Sequence, residues 1–315
     1  MVTHADLDKA IGHESPAFPV NWNQRDLLLY AVGIGAKRDE LQFTFEDSPS
    51  WQPFPTYPLV LGLKGDNTSI ANFANARKES PPPGLPKFDP KKVVHAEQSI
   101  EILGPLPKES SQGWTMKKKV VGVKDTGKGL IVDEALELLD PAGKVVVRMI
   151  SSGYNFGDFG TKGYGKSIAP KQPVKGGKPP QRAPDFVFTE KLTEEQASIY
   201  RLSGDYNPLH IDPTVGKGMG FPGVIVHGLC SYGHAARAII LNAAKGDGSR
   251  LQYMSARFTS PVLPGDTLET SIWVSSDDKT GGTRVDFVQK NQKGKPTLGG
   301  GVALLKPAVG KESKL

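Results

Sequence analysis

Apolar and polar residues alternate along several stretches of the chain, which is the pattern of half-buried β-strands. From Leu268 to Val274 every second residue is apolar or threonine, and Glu269, Ser271 and Trp273 lie between them. Residues 120–123 and 144–150 are also rich in valine and isoleucine. This pattern predicts long antiparallel strands in the later part of both halves of the chain.

One strong α-helix is predicted from Gly228 to Ala244, where apolar residues recur at helical spacing before Lys245 and Gly246 end the run. Its other positions are largely Ala, Gly and Cys, so we expect it to be buried and wrapped by the sheet. The equivalent stretch of the first half, Leu59–Asp89, contains a short Ala/Asn segment and then three successive prolines. A long helix cannot pass through these prolines.

Residues 166–184 contain five prolines, five Lys or Arg and no acid, which indicates a linker or a long surface crossing. The segment separates an N-terminal domain, residues 1–165, from a C-terminal domain, residues 185–310, with a short tail at 311–315. Leu28–Gly33 is similar to Ser198–Gly204, and Gly104–Pro107 is similar to Ser260–Gly265. We interpret these matches as an internal duplication.

The composition excludes several classes of protein. The chain has 315 residues, 37% of them hydrophobic, and a formal net charge of +6, so we expect two ordered domains. Its lysines are scattered, and the run Lys117–Lys119 is predicted to be a solvated strand, so nucleic acid is not an expected partner. The single cysteine, Cys230, allows neither an internal disulfide nor a zinc cluster, and this favours a reducing compartment.

The sequence predicts no membrane span, because no stretch approaches about 18 successive apolar residues. The first 15 residues resemble neither a secretory signal nor a transit peptide. The chain closes with Ser313, Lys314 and Leu315, the tripeptide that the peroxisomal import receptor recognises at a free C-terminus. These features predict a protein of the peroxisomal matrix.

The segment Tyr200–Pro213 carries the candidate chemistry. An Asn-Pro turn at Asn207 lies between Asp205 and His210, so the chain can fold back and direct both side chains at one point. A carboxylate and an imidazole that converge on a water form an acid-base pair. The alternative is an ordinary turn with a structural histidine.

Gly228 opens the predicted buried helix, 18 residues after His210. Its backbone N–H is an unpaired donor at the positive end of a helix, and the missing side chain lets a ligand approach closely. This predicts an oxyanion site, although a plain helix start would look the same. The glycines of Gly157–Gly165 lack the spacing of a dinucleotide-binding motif and are predicted to form a loop.

Together these segments resemble the R-specific 2-enoyl-CoA hydratases (hydratase 2) of the MaoC-like, hot-dog-fold group. The similarity includes the run Tyr200–His210 and the block Phe221–Cys230. In the first half, Arg25–Ala36, Leu41–Glu46, His95–Gln98 and Gly104–Pro107 resemble the N-terminal domain of peroxisomal members. The chain departs from the family at Thr214–Gly218, which puts the local loop shape in question.

The resemblance implies an α+β fold of two hot-dog domains in tandem, each an antiparallel sheet around a helix, with the first helix reduced to admit an acyl chain. It also implies that Asp205 and His210 activate the water added to a trans-2-enoyl-CoA, that Asn207 shapes the site, and that the Gly228 N–H holds the thioester oxygen. Tyr30 and Glu46 match first-domain positions implicated in the activity of the relatives, but Tyr30 could be core and Glu46 the end of a solvated strand. Together with His227 they are candidates for substrate binding. Arg257 and Lys217 are candidates to bind the CoA phosphates.

The implied enzyme needs no metal or other cofactor, since CoA is part of its substrate. Its expected partners are the acyl-CoA substrate, the peroxisomal import receptor and a second copy of the chain in a homodimer. Two alternatives remain open: a hot-dog acyl-CoA thioesterase, which would release free CoA, and a non-catalytic acyl-CoA-binding module.

Overall fold

The computed structural model describes residues 2–66, 81–89, 92–277 and 280–308. Its helices are α1 (His4–Ala10), α2 (Gln24–Gly33), α3 (Leu41–Thr44), α4 (Pro58–Lys64), α5 (Gln196–Tyr200), α6 (Pro213–Gly218) and α7 (Gly228–Ala243). Its strands are β1 (Phe18–Pro19), β2 (Val93–Ile102), β3 (Thr115–Asp125), β4 (Gly129–Leu139), β5 (Val145–Phe156), β6 (Gly165–Ser167), β7 (Phe186–Lys191), β8 (Leu251–Phe258), β9 (Thr267–Asp277), β10 (Gly282–Asn291) and β11 (Pro296–Leu305).

The strands form one antiparallel sheet whose order reads the same from its centre in both directions. The order is β1-β3-β4-β5-β2-β8-β11-β10-β9-β7, with β6 paired to β3. Outward from the central β2–β8 pair, β5, β4, β3 and β1 of the first half correspond to β11, β10, β9 and β7 of the second. This matched order confirms the internal duplication, and the two copies join edge to edge through β2 and β8.

The two repeated segments that suggested the duplication pack against each other. Leu28–Gly33 falls in α2, and Ser198–Gly204 runs through the end of α5 and the 3₁₀ turn Arg201–Ser203. Gln196 donates a hydrogen bond from Nε2 to the Gly33 carbonyl oxygen, 2.7 Å away. The first half therefore directly supports the segment that leads to Asp205.

The predicted long helix is confirmed as α7, and every residue from Leu229 to Ile240 is buried. Its small side chains allow this close packing: a methyl group at Gly233 would lie 2.3 Å from Ile34. In the first half, α4 is seven residues long and ends at Gly65, whose φ is +68°. The Ala/Asn segment at 67–80 lies outside the described residues, and no helix is found at 81–89.

Three local predictions change in the structure. The segment 166–184 is a surface crossing rather than a detached linker, because Val174 packs on Tyr253, Val302 and Leu304. The run Lys117–Lys119 was predicted to be solvated, but only part of it is. Lys118 faces the interior cavity described below. Glu46 is not at a strand end, because residues 41–44 form α3 and Glu46 lies in the exposed turn after it.

A buried group of charges ties α7 to the first half. Arg237 on α7 contacts Glu40 through Nε at 2.8 Å and Glu190 of β7 through Nη1 at 2.9 Å. His234 and Lys37 also contact Glu190, at 2.8 and 2.7 Å. Burial by itself would raise the pKa of Glu190, but these partners outweigh it and lower the pKa to about 2. Glu190 is therefore ionised at neutral pH.

We expect Arg237→Met to destabilise the fold strongly, because it leaves Glu40 and Glu190 buried without their shared cation. Breaking a buried ion pair costs about 3–5 kcal/mol of unfolding free energy. Denaturant unfolding measures the loss. Lys166→Met, which removes an exposed pair with Asp8, is the control and should cost much less, because water already solvates both charges. Equal losses in both variants would contradict this account of α7.

Candidate active site

The backbone conformation just before Asp205 depends on Gly204, which packs against the first half of the chain. Gly204 has φ +135°, and a methyl group on it would lie 2.8 Å from Lys64 Cβ and 3.0 Å from the Lys64 backbone nitrogen. Any side chain here would thus be strained and would collide with α4. As a result, α4 of the first half sets where the chain enters the site.

The Asp-x-Asn-Pro turn folds back as predicted. The Asn207 N–H donates to Asp205 Oδ1 at 3.2 Å, and Asn207 Oδ1 accepts from the Leu209 N–H at 3.2 Å. Asn207 thereby caps the 3₁₀ turn Pro208–His210. Polar atoms of Asp205, His210 and His227 consequently lie within 4.8 Å of one another. The predicted convergence of Asp205 and His210 is confirmed.

The hydrogen bonding of His210 defines its reactive nitrogen. Its Nδ1 lies 2.8 Å from the Ile225 carbonyl oxygen, which can only accept a hydrogen bond. The proton of the neutral ring is therefore on Nδ1, and Nε2 carries the lone pair. Burial lowers the pKa of His210 below its ordinary 6.5, although the charge of Asp205 opposes the shift. The ring is neutral at pH 7 and can accept a proton at Nε2.

His227 supports His210 and does not line the cavity among the described residues. The two rings stack with centroids 3.7 Å apart, and His227 Nε2 donates to the Asp205 carbonyl oxygen at 3.0 Å. Burial, followed by the neighbouring His210, lowers the pKa of His227 well below 6.5. The structure thus gives His227 a position that orients both Asp205 and His210 rather than a contact with a ligand.

Asp205, His210 and His227 are also the group of side chains in the described residues that could bring three metal-ligand atoms together. Their arrangement suits a metal poorly. Stacked imidazole rings direct their in-plane lone pairs side by side rather than at one point, and two of the four ring nitrogens already contact carbonyl oxygens. Binding one ion through both histidines would require a ring to rotate.

A large cavity of about 1630 Å³ opens in front of these groups. Asp205, Asn207, His210 and Gly228 line it from the second half. Gly228 is the first residue of α7, so its N–H has no acceptor within the helix and lies at the positive end of the helix dipole. The first half lines it with both polar and apolar side chains, and the apolar ones include Leu59, Leu63, Leu136 and Met149.

Tyr30 lies in the core and reaches the site only through other rings. It is fully buried, and its hydroxyl is 2.8 Å from Thr56 Oγ1. Its ring is 6.0 Å from that of Tyr200, which in turn lies 4.9 Å from His227. We call Tyr30, Tyr200, His227 and His210 the aromatic column. Through this column the first half positions the reactive histidine.

We expect Tyr30→Phe to leave the apparent substrate affinity unchanged and to cost about 0.5–1.5 kcal/mol of unfolding free energy, the value of its hydrogen bond. Tyr30→Ala should lose activity and stability together, because it opens a cavity beneath Tyr200. Steady-state kinetics and denaturant unfolding separate the two effects. A rise in KM for Tyr30→Phe without loss of stability would instead place Tyr30 against the substrate.

The other proposed binding residues lie away from the described lining of the cavity. Lys217 is exposed on α6, and Glu46 is exposed in its turn. Arg257 is exposed on β8 opposite Glu97 of β2. The geometry gives no support to substrate contacts by these three residues, which stay predictions. Their positions along the sequence could not distinguish them from residues that line the cavity, because the burial of a side chain depends on how the two halves join.

Comparison with known proteins gives the same picture. Residues 175–294 match the family model described as MaoC like domain, and residues 20–157 match that of the MFE-2 hydratase 2 N-terminal domain. The peroxisomal enoyl-CoA hydratase 2 of Arabidopsis thaliana is 34% identical, over 93% of each chain. The chain belongs to the MaoC-like hydratase 2 family. Another relative, the probable dehydratase NIT22 of Ajellomyces capsulatus, is 40% identical over 80% of this chain and 68% of its own length.

The structure of this hydratase 2 family member is close to a solved one. The crystal structure of a MaoC-like dehydratase from Phytophthora capsici matches it with a TM-score of 0.85 and 37% identity, covering 95% of this chain and 97% of that chain. The expected fold of two hot-dog domains is thus confirmed. Among the described residues, no helix combines the length and apolar character needed to cross a bilayer.

Proposed function

We propose that this protein adds water to a trans-2-enoyl-CoA to give a (3R)-3-hydroxyacyl-CoA. The observation that carries the proposal is the convergence of Asp205 and His210 Nε2 on a cavity that Gly228 also lines. The name of the Arabidopsis thaliana relative, an enoyl-CoA hydratase 2, supports the same reaction. The cavity also extends from these residues along apolar side chains that suit an acyl chain.

Hydration of a conjugated thioester needs an activated water, a proton for C2 and stabilisation of the charge on the thioester oxygen. The site has a candidate for each of these roles. The water oxygen bonds to C3 while one water proton passes to the Asp205–His210 pair. A proton is delivered to C2 from the same pair, which is typically worth 10²–10⁴ in rate. The Gly228 N–H holds the thioester oxygen while negative charge develops on it, a contribution of about 10²–10³. The scheme uses no metal and no cofactor besides the CoA of the substrate.

An assay with two readouts tests the proposal. A purified sample mixed with a trans-2-enoyl-CoA should lose the ultraviolet absorbance of the conjugated thioester, since water adds across its double bond. A thiol reagent in the same cuvette should detect no free CoA. Release of thiol would favour the thioesterase alternative, and binding without any reaction would favour the non-catalytic module. Asp205→Asn provides the background rate.

The acid side of the pH profile should follow the lowered pKa of His210. Protonation of Nε2 removes the acceptor, so kcat/KM should fall as the pH drops. Because burial lowers this pKa, the midpoint should lie below the ordinary value of 6.5, with full activity at neutral pH. A profile of kcat/KM against pH gives the midpoint. A midpoint above 6.5 would mean that the charge of Asp205 dominates over burial.

We also propose that the protein acts in the peroxisomal matrix, in fatty acid β-oxidation. Support comes from Ser313, Lys314 and Leu315, which lie outside the described residues, and from the peroxisomal relative in Arabidopsis thaliana. A fluorescent fusion that keeps the C-terminus exposed should enter peroxisomes, and deletion of the tripeptide should leave it in the cytosol. Continued import after deletion would require another signal. The import receptor and the homodimer stay predictions.

A further inference from the structure

One charged residue interrupts an apolar row on the inner face of β4. Side chains alternate along a strand, so Leu130, Val132, Glu134, Leu136 and Leu138 share one face. Four of these five are apolar and pack in the core, while Glu134 lines the cavity. An acid at this place has no role in the hydration scheme.

Polar side chains continue from Glu134 across three neighbouring strands. Ser151 of β5 is opposite Glu134, and Gln98 of β2 is opposite Ser151. Lys118 of β3 reaches Glu134 with Nζ 3.9 Å from Oε1, and His95 of β2 has Nε2 3.1 Å from Ser151 Oγ. All five line the cavity. We call Lys118, Glu134, Ser151, Gln98 and His95 the polar belt.

The second half shows that a polar side chain on this face can be fully satisfied by protein. Gln289 of β10, the strand that corresponds to β4, is completely buried beneath α7. Its amide bonds to the Ser231 carbonyl oxygen, to Thr270 and to Thr297. In the first half the side chains of the polar belt line the cavity. A bound ligand would therefore meet these groups directly.

We propose that the polar belt binds a hydroxyl group carried by the distal part of the acyl chain. The inference rests on the proposed function for the identity of the ligand as an acyl-CoA. The inference implies that the preferred substrates are acyl-CoAs with a hydroxylated chain rather than a plain hydrocarbon chain.

The chemistry of the polar belt selects a hydroxyl group. Burial lowers the pKa of His95 to about 4, so its ring is neutral at pH 7, and Lys118 and Glu134 carry opposite charges. The belt thus offers donors and acceptors without net charge, and a hydroxyl group both donates and accepts. A carboxylate would lose its hydration without meeting a net opposite charge, and a methylene chain would displace water from charged groups without replacing the hydrogen bonds of that water.

Calorimetric titration of the full chain with saturated acyl-CoAs tests the inference without requiring turnover. The probes are a plain chain, analogues with one hydroxyl group at successive distal carbons, and an analogue ending in a carboxylate. We expect one hydroxylated analogue to bind about tenfold more tightly than the plain chain, the effect of one hydrogen bond to a charged partner. The preference should fall to about twofold or less in Glu134→Leu and in Ser151→Ala. Lys117→Leu, an exposed neighbour on the opposite face of β3, should retain it.

Equal affinity for all probes would overturn the inference, and so would a preference that both variants leave intact or a carboxylate that binds most tightly. Thermal unfolding of each variant establishes that it is folded. If Glu134→Leu is not folded, the affinities of Ser151→Ala alone test the inference. Hydration of a plain trans-2-enoyl-CoA is measured in parallel. Its absence would refute the proposed function alone, whereas the binding preference decides the inference about the polar belt.

Discussion

Replacement of Asp205 by Asn, or of His210 by Gln, is expected to lower kcat for enoyl-CoA hydration by about 10²–10⁴, the usual contribution of general acid-base catalysis. The two side chains converge with His227 within 4.8 Å, and the His210 tautomer leaves Nε2 able to take a proton. Neither substitution changes the volume of the side chain greatly. KM should therefore change less than kcat.

The double variant adds a stricter requirement. Since the two groups act on one water as a unit, removing both should cost little more than removing one. Asp212→Asn is the matched control, because Asp212 caps α6 from the same loop. It should keep most of the activity. Losses that simply multiply in the double variant would show that Asp205 and His210 act independently.

Gly228→Ala is expected to lower kcat/KM by about 10²–10³, the effect of losing one oxyanion donor. The added methyl group would lie 3.1 Å from two ring carbons of Phe258, which lines the cavity, so it occupies space beside the N–H. The backbone N–H remains, but the thioester oxygen can no longer approach it closely. Steady-state kinetics with enoyl-CoA concentrations that extend from below KM to saturation measure the effect.

Gly218→Ala is the control for this substitution. Gly218 ends α6 near the site, and a methyl group there meets no atom within 4 Å. It should retain activity, and both variants should unfold near the wild-type temperature. A fully active Gly228→Ala would contradict the expectation that the thioester oxygen must approach the Gly228 N–H past the position of the added methyl group.

Much of this architecture could be predicted because local pattern and tertiary fold agree. The alternation in Leu268–Val274 reappears as β9, and the small apolar run from Gly228 becomes the buried α7. In the first half, α4 ends after seven residues and no helix is found at 81–89, while residues 67–80 lie outside the described part of the chain. The Asn-Pro turn predicted that Asp205 and His210 converge, because that geometry is set within a few residues.

The remainder depended on contacts between distant segments. His227 was assigned to the substrate, yet it stacks on His210, and no sequence spacing specifies a ring contact across 17 residues. Lys118 belonged to an apparently solvated run, but strand alternation turns it inward while Lys117 stays exposed. Glu134 was overlooked since a single acid in a strand is usually solvated. The signal would have been the alternation of β4, which places Glu134 on the same face as Leu136 and Leu138.

The most direct test of the central claim is the configuration of the product that the unmodified protein makes from a trans-2-enoyl-CoA. Chiral chromatography of the 3-hydroxyacyl group separates the two enantiomers. The account predicts (3R)-3-hydroxyacyl-CoA with the thioester intact, and none of it with Asp205→Asn. An exclusively S product, or release of free CoA in place of hydration, would contradict it.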